Sequence, residues 1–128
     1  MQIAVRYFEI PVSNLERAIE FYEHVFDVSL GYTKVDGYEM ALFPEALDDM
    51  GASGALAKGD VYVPGKAGPI LYFSVLSIDE ILARLASVSG MVLYPKKAIG
   101  NDGFVAEIED SEGNRIALHQ AGGTPPDE

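Results

Sequence analysis

Residues 7–19 read Tyr7-Phe8-Glu9-Ile10-Pro11-Val12-Ser13-Asn14-Leu15-Glu16-Arg17-Ala18-Ile19, and their pattern returns 63 positions later as Ile70-Leu71-Tyr72-Phe73-Ser74-Val75-Leu76-Ser77-Ile78-Asp79-Glu80-Ile81-Leu82. Each stretch begins with a short apolar run typical of a β-strand, continues through a polar break, and then shows the spacing of an amphipathic helix. Few letters are identical, so the repeat is one of hydrophobic pattern. The chain is therefore predicted to contain two similar modules.

Both predicted helices begin with a capping-box pattern, Ser13-x-x-Glu16 in the first and Ser77-x-x-Glu80 in the second. In this pattern the hydroxyl accepts a free backbone N–H, and the Glu side chain reaches back to the Ser N–H. Apolar residues then recur at helical spacing as far as about Phe26 in the first helix and Ser89 in the second. Gly90 is predicted to end the second helix, since glycine adopts positive φ without steric cost.

Three strand-like runs follow each helix, separated by turn residues such as Asp36-Gly37. Each half is therefore predicted to be β-α-β-β-β. Module 1 covers about residues 1–58, a Gly- and Pro-containing linker about 59–68, and module 2 about 69–120, with a polar tail at 121–128. The later strands are predicted near Ser29–Val35, Tyr38–Phe43, Gly54–Lys58, Met91–Lys97, Phe104–Glu109 and Arg115–Gln120.

Composition limits the classes of function. The chain has 128 residues, a length at which a domain buries a substantial core. Cysteine is absent, which excludes a disulfide framework, a thiolate metal site and a cysteine nucleophile. The formal net charge of −11 repels phosphate backbones and anionic membrane surfaces, so we expect neither nucleic acid nor membrane as a partner. No apolar run has the length of a membrane span and the first residues lack a signal-peptide pattern, so a cytoplasmic location is expected.

Four segments of the sequence show a family likeness: Tyr7–Val12, Arg17–Tyr22, Leu71–Val75 and Asp110–His119. Through these segments the sequence resembles the vicinal oxygen chelate superfamily, which includes glyoxalases, bleomycin-resistance proteins and extradiol dioxygenases. The likeness extends over about residues 5–120, closest to a bacterial glyoxalase-like subgroup. It implies an α+β fold in which two tandem βαβββ modules, in one domain spanning 1–128, form a curved mixed sheet with helices on its outer face. It also implies a homodimer.

The resemblance also implies where a metal would be held. Metal-dependent members take one ligand from the first strand and one from the last strand of each module, usually His or Glu. Those positions correspond here to Tyr7, Ala55, Ile70 and Ala117. Ala and Ile have no donor atom, and a neutral phenol is a poor ligand for hard divalent ions. We therefore expect no metal and no other cofactor, and the residues disfavour metal-dependent lactoylglutathione lyase activity.

Strand alternation predicts which side chains line the concave face. Tyr7 and Glu9 share one face of the first strand, Tyr72 occupies the matching face in module 2, and His119 lies on the last strand. These four are the predicted ligand-binding residues, with Glu9 and His119 as catalytic candidates because carboxylate and imidazole can move a proton. In the alternative interpretation His119 is a partly buried edge residue and Glu9 is exposed or pairs with a lysine. The candidate lysines are Lys58, Lys96 and Lys97.

Three hypotheses of function follow from this pattern. The first is a metal-free protein that binds a small organic ligand in the concave sheet. The second is a metal-independent lyase or isomerase in which Glu9 or His119 is the general base. The third is a resistance protein that sequesters a drug, for which aromatic side chains and negative charge would suit a cation. The sequence does not separate these hypotheses, nor does it identify the ligand or any reaction.

Overall fold

A computed structural model describes residues 3–45 and 51–122, and its secondary structure consists of two successive βαβββ units. Unit 1 is Met1–Gly65 and unit 2 is Lys66–Glu128, so their boundary falls inside the predicted linker. The α+β fold with two βαβββ modules is confirmed. The elements are β1 Tyr7–Val12, α1 Leu15–Phe26, β2 Gly31–Val35, β3 Tyr38–Leu42, β4 Ser53–Lys58, β5 Leu71–Ser74, α2 Ile78–Ser87, β6 Met91–Ala98, β7 Phe104–Glu109 and β8 Arg115–Gln120.

The sheet of unit 1 has the strand order β1-β4-β3-β2. Strand β1 runs parallel to β4, while the β4–β3 and β3–β2 pairs are antiparallel, which makes the sheet mixed. Helix α1 begins one residue later than the capping-box prediction, because Asn14 and not Ser13 is the N-cap. The amide oxygen of Asn14 accepts the backbone N–H of Arg17 at 3.0 Å, which satisfies one of the free donors of the first turn.

The core of unit 1 lies between α1 and one face of its sheet. Ala18, Tyr22 and Val25 are fully buried on the helix. The Tyr22 ring meets the Phe43 ring edge-on at 5.5 Å, and Phe8 lies 5.7 Å from Phe43. These ring contacts show that Phe8 points toward the helix, and strand alternation therefore directs its neighbours in sequence to the opposite face.

Unit 2 repeats this arrangement with the strand order β5-β8-β7-β6. Ser77 is the N-cap of α2, as predicted, and its hydroxyl accepts the backbone N–H of Glu80 at 3.2 Å. The left-handed residue after the helix is Ser89, with φ 58°, rather than Gly90. Gly90 is instead needed for space, because a Cβ there would lie 2.2 Å from a methyl carbon of Leu85.

The segment 110–114, which begins one of the four segments of the family resemblance, forms the turn between β7 and β8. Asp110 is buried, and its Oδ1 accepts the backbone N–H groups of Glu112 at 2.8 Å and Asn114 at 2.9 Å. Its Oδ2 accepts the side-chain amide of Asn114 at 3.0 Å. Gly113 has φ 89°, a conformation that glycine adopts without strain. The turn is therefore fixed by its own side chains.

Strand bounds agree with the predictions to within two residues at the ends. Of the predicted tail at 121–128, residues 123–128 lie outside the described part of the chain. Among the described helices, none has the length and hydropathy that crossing a bilayer requires.

Candidate ligand-binding site

The candidate site of unit 1 lies on the face of the sheet opposite α1. Glu9 pairs with Ala55 and Pro11 pairs with Ala57 across the parallel β1–β4 ladder, so these side chains share that face with Tyr7. Met40 joins them because it pairs with Ala57 from β3. The structure thus places Tyr7 and Glu9 on the side of the sheet that strand alternation predicts.

Glu9 accepts hydrogen bonds from two phenols. The hydroxyl of Tyr7 donates to Oε2 at 3.0 Å, and the hydroxyl of Tyr62 donates to Oε1 at 2.8 Å. The Tyr7 hydroxyl also lies 3.9 Å from the sulfur of Met40, but it carries a single proton and the carboxylate is the stronger acceptor. Both oxygens of the half-buried carboxylate are therefore partnered by neutral donors.

Tyr62 is the site residue that the sequence analysis missed, because it lies within the predicted linker. A turn closed by the hydrogen bond from Tyr62 N–H to the Gly59 carbonyl, at 3.0 Å, directs the ring back toward the sheet. There it meets Tyr38 edge-to-face, with ring centroids 5.4 Å apart and an interplanar angle of 89°. The signal for this turn was the Gly59-Asp60 pair directly after β4, since such pairs mark tight turns.

The carboxylate shifts the protonation of both phenols. The hydrogen bond to Glu9, followed by burial and by the charge of Glu9, raises the pKa of Tyr62 to about 12. Burial raises the pKa of Tyr7, and its hydrogen bond to Glu9 and the Glu9 charge act in the same direction. Both tyrosines are therefore protonated donors at neutral pH.

Beside the carboxylate lies a small apolar patch formed by Met40, Ala55 and Ala57, all buried. The rings of Tyr38 and Tyr62 pack against it. Methyl groups, a thioether, phenol rings and one carboxylate thus occur together on this face. A mainly apolar surface with a few placed polar groups is typical of sites for small organic molecules.

The two predicted site residues of unit 2 lie on neighbouring strands. Tyr72 pairs with Ala117, and Ser74 pairs with His119, so Tyr72 and His119 share one face of the sheet. The Nε2 atom of His119 lies 2.6 Å from the backbone oxygen of Asp102. Because a carbonyl only accepts, Nε2 carries the proton and Nδ1 of the neutral ring is left as an acceptor. That all four residues line one site stays a prediction.

Within the described part of unit 1, Glu9 has no lysine partner. Lys58 lies on the opposite face of β4, since Glu9 faces Ala55 and alternation turns position 58 toward the α1 side. In unit 2, Lys96 pairs with Asp79 at 3.1 Å and its ammonium lies 4.8 Å from the centre of the Phe104 ring. Within the described part of unit 1, the donors to Glu9 are phenols and not ammonium groups. That Glu9 pairs with Lys97 of unit 2 stays a hypothesis.

The donor chemistry at the four implied metal positions does not fit a divalent ion. Ala55 and Ala117 are buried methyl groups on the last strands of their units, and Ile70 is a hydrocarbon side chain. The Tyr7 phenol, with its raised pKa, remains protonated and already donates to Glu9. Among residues 3–45 and 51–122, no group of three or more His, Asp or Glu side chains is placed to hold a metal.

Comparison with known proteins gives a family match and several similar folds. Residues 4–118 match the profile of the Glyoxalase/Bleomycin resistance protein/Dioxygenase superfamily. No curated protein sequence matches the chain. Among solved structures, the chain is similar to TnmS3, described as an antibiotic binding protein from Streptomyces sp. CB03234. The identity is 26% and the TM-score 0.67, over 95% of this chain and 99% of that one.

Two further structures share the fold at lower identity. The chain is similar to the fosfomycin resistance protein FosX from Listeria monocytogenes, with 17% identity and a TM-score of 0.71 over 94% of this chain and 93% of that one. It is also similar to a glyoxylase/bleomycin resistance protein/dioxygenase domain from Frankia sp. EAN1pec. There the identity is 18% and the TM-score 0.69, over 94% of this chain and 98% of that one.

Proposed function

The chain belongs to the glyoxalase, bleomycin resistance protein and dioxygenase superfamily, and on that premise we propose that it binds a small organic molecule without a metal ion. The residues proposed to contact a ligand are Tyr7 and Glu9 in unit 1 and Tyr72 and His119 in unit 2. A ligand of antibiotic size is favoured by the likeness to TnmS3, an antibiotic binding protein. The proposed role is binding and sequestration.

The observation that carries this proposal is the environment of Glu9. Two phenols hold its carboxylate beside the apolar patch of Met40, Ala55 and Ala57. Ala55, at a position where the family resemblance implies a metal ligand, contributes a methyl group to this patch. Organic surface can therefore gain apolar contact where those relatives would coordinate an ion.

A thermal-shift experiment tests this proposal. A ligand that binds only the folded chain raises its melting temperature. We expect a panel of organic antibiotics to include compounds that raise the melting temperature equally with and without a chelator. Mn²⁺, Ni²⁺, Zn²⁺ and Fe²⁺ should leave it unchanged, and elemental analysis of the purified protein should find no stoichiometric metal. About one metal per chain, or stabilisation by metals alone, would refute the proposal.

One observation favours a second candidate, a metal-independent lyase or isomerase. The hydrogen bond from Nε2 of His119 to the Asp102 carbonyl orients the ring and leaves Nδ1 able to take a proton from a bound ligand. Each stabilising compound can be incubated with the protein in D₂O and followed by mass spectrometry. Deuterium uptake or a new product that is lost in His119→Gln supports catalysis, whereas unchanged compounds support sequestration alone.

A further inference from the structure

Glu9 differs in its partners from two carboxylates of unit 2, Glu107 and Glu109. In unit 2, Glu109 lies 3.2 Å from Lys66 and Glu107 lies 3.5 Å from Arg115, so these carboxylates face cations of their own unit. Within the described part of unit 1, Glu9 forms no ion pair, and its hydrogen bonds come from two neutral phenols. The two phenols therefore hold the Glu9 carboxylate in place, and no cation in the described part of unit 1 neutralises its charge.

The hydrogen-bonding capacity of this carboxylate is only partly used. An ionised carboxylate offers about four acceptor positions, and Tyr7 and Tyr62 each occupy one of them. Leaving a half-buried carboxylate without further donors is unfavourable in the absence of water or a ligand. The remaining positions are suited to N–H donors, and a charged donor would form the stronger hydrogen bond.

The surroundings of Glu9 also favour a positive charge. The rings of Tyr7, Tyr38 and Tyr62 carry negative electrostatic potential on their faces, which attracts a cation within about 6 Å. Tyr7 remains 44% exposed, so an incoming molecule has access to its side chain. The formal net charge of −11 raises the concentration of organic cations near the protein.

From these contacts we infer that the site formed by Tyr7, Glu9, Tyr38, Met40 and Tyr62 binds the protonated nitrogen of an aromatic nitrogen base. The nitrogen is placed at the Glu9 carboxylate and the aromatic frame against the phenol rings and the Met40 thioether. This inference rests on the proposed function and specifies the class of ligand. The carboxylate supplies selectivity for charge, while the rings and the apolar patch supply contact area.

The test uses two fluorescent compounds with the same tricyclic frame. 9-Aminoacridine is a cation at neutral pH, whereas acridone is neutral, so the ratio of their dissociation constants isolates the contribution of charge. We expect the wild type to bind 9-aminoacridine at least about tenfold more tightly, which corresponds to about 1.4 kcal/mol. This preference should shrink at high salt, because ions screen the attraction.

Two matched variants show whether Glu9 is the origin of this preference. Glu9→Gln should remove most of it while binding acridone as the wild type does. Glu39→Gln removes the same unit of charge from the opposite face of the sheet, where Glu39 lies across from Lys58 in the β3–β4 register. This variant should retain the preference for 9-aminoacridine. Circular dichroism melts establish that each variant is folded. The comparison of the two dyes in the wild type stands even if Glu9→Gln does not fold.

The outcomes separate this inference from the proposed function. Equal affinity for the two dyes, or a preference that survives in folded Glu9→Gln, overturns the cationic site while leaving organic-ligand binding intact. If neither dye binds but neutral antibiotics stabilise the protein, the cationic site is again wrong. If no organic compound binds in either experiment, both proposals fall.

Discussion

Glu9 shows how a charged residue is accommodated in the middle of a strand. Its neighbours Phe8 and Ile10 point toward α1, which places the carboxylate on the opposite face. The donors that hold it are phenols. Burial, followed by the hydrogen bond to Glu9, raises the pKa of Tyr7, and the hydrogen bond to Glu9, followed by burial, raises the pKa of Tyr62. The carboxylate and the two hydroxyls therefore stabilise one another, and this mutual dependence has a measurable effect at high pH.

We predict that Tyr62→Phe lowers the free energy of unfolding by roughly 1 kcal/mol at neutral pH, because one hydrogen bond to Glu9 is lost. Tyrosine in an unfolded chain loses its proton near pH 10, whereas the pKa of Tyr62 in the folded chain is about 12. The stabilisation is thus fully present below about pH 10 and disappears as the pH rises toward 12. Urea unfolding at several pH values in this range provides the measurement.

Glu9→Gln is the companion variant for this measurement. A neutral amide removes the charge that opposes ionisation, so the tyrosinate absorbance of Tyr62 should appear at lower pH in this variant. The hydrogen bond predicts that the difference in free energy of unfolding between wild type and Tyr62→Phe shrinks as the pH rises from about 10 toward 12. A difference that stays constant over this range would contradict the assigned hydrogen bond.

At the scale of elements, the turn after β4 positions the aromatic part of the site. Gly59 lies directly under the Tyr38 ring, and a Cβ at this position would come within 2.3 Å of the ring carbon Cδ1. The same turn carries Tyr62, whose ring meets Tyr38 edge-to-face. The absence of a side chain at Gly59 therefore allows the two rings to pack together beside Glu9.

We predict that Gly59→Ala displaces Tyr38 and loosens the contact between Tyr62 and Glu9. The free energy of unfolding should fall by about 1–3 kcal/mol, the usual cost of overpacking, and the pKa of Tyr62 should move back toward 10. Gly31→Ala is the matched control, because an added Cβ there meets no atom within 4 Å. Equal stability of the two variants, with tyrosinate titration unchanged from wild type, would show that the close approach is unimportant.

At the scale of the whole molecule, each unit ends its sheet in edge strands. In unit 1 the edges are β1 and β2, and in unit 2 they are β5 and β6. Tyr32 and Val35 on β2, and Met91 on β6, are large exposed apolar side chains. Edge strands with exposed apolar residues are commonly covered by another subunit.

We therefore predict a two-fold symmetric homodimer, the commonest closed assembly of identical chains. Light scattering at tens of micromolar should give twice the chain mass of 13.8 kDa. If β2 forms the contact, Val35→Lys should return the protein to the monomer, since a charge on an edge strand opposes pairing. A wild-type protein that scatters as a monomer at this concentration would refute the prediction.

Local patterns in the sequence are enough to predict the helices, the strands and the faces that they present. Hydrophobic periods of two and 3.6 residues depend only on neighbours in the chain. They therefore predict the strands, the helices and the face of β1 on which the Glu9 side chain lies. Ser77 was identified as an N-cap for the same reason, because its partner is three residues away. Asn14 was missed in favour of Ser13, since two adjacent residues can both cap a helix and only the backbone conformation selects one.

Contacts between side chains that are distant in sequence depend on the folded arrangement of the strands. Tyr62 lies 53 residues from Glu9, and their contact requires both the parallel pairing of β1 with β4 and the turn that follows β4. No period in the sequence encodes that contact, so the sequence pattern predicts a linker at Tyr62 and leaves lysines as candidate partners of Glu9. The partner of a half-buried charge is selected by strand pairing and by the space left at Gly59, and both exist only once the unit has folded.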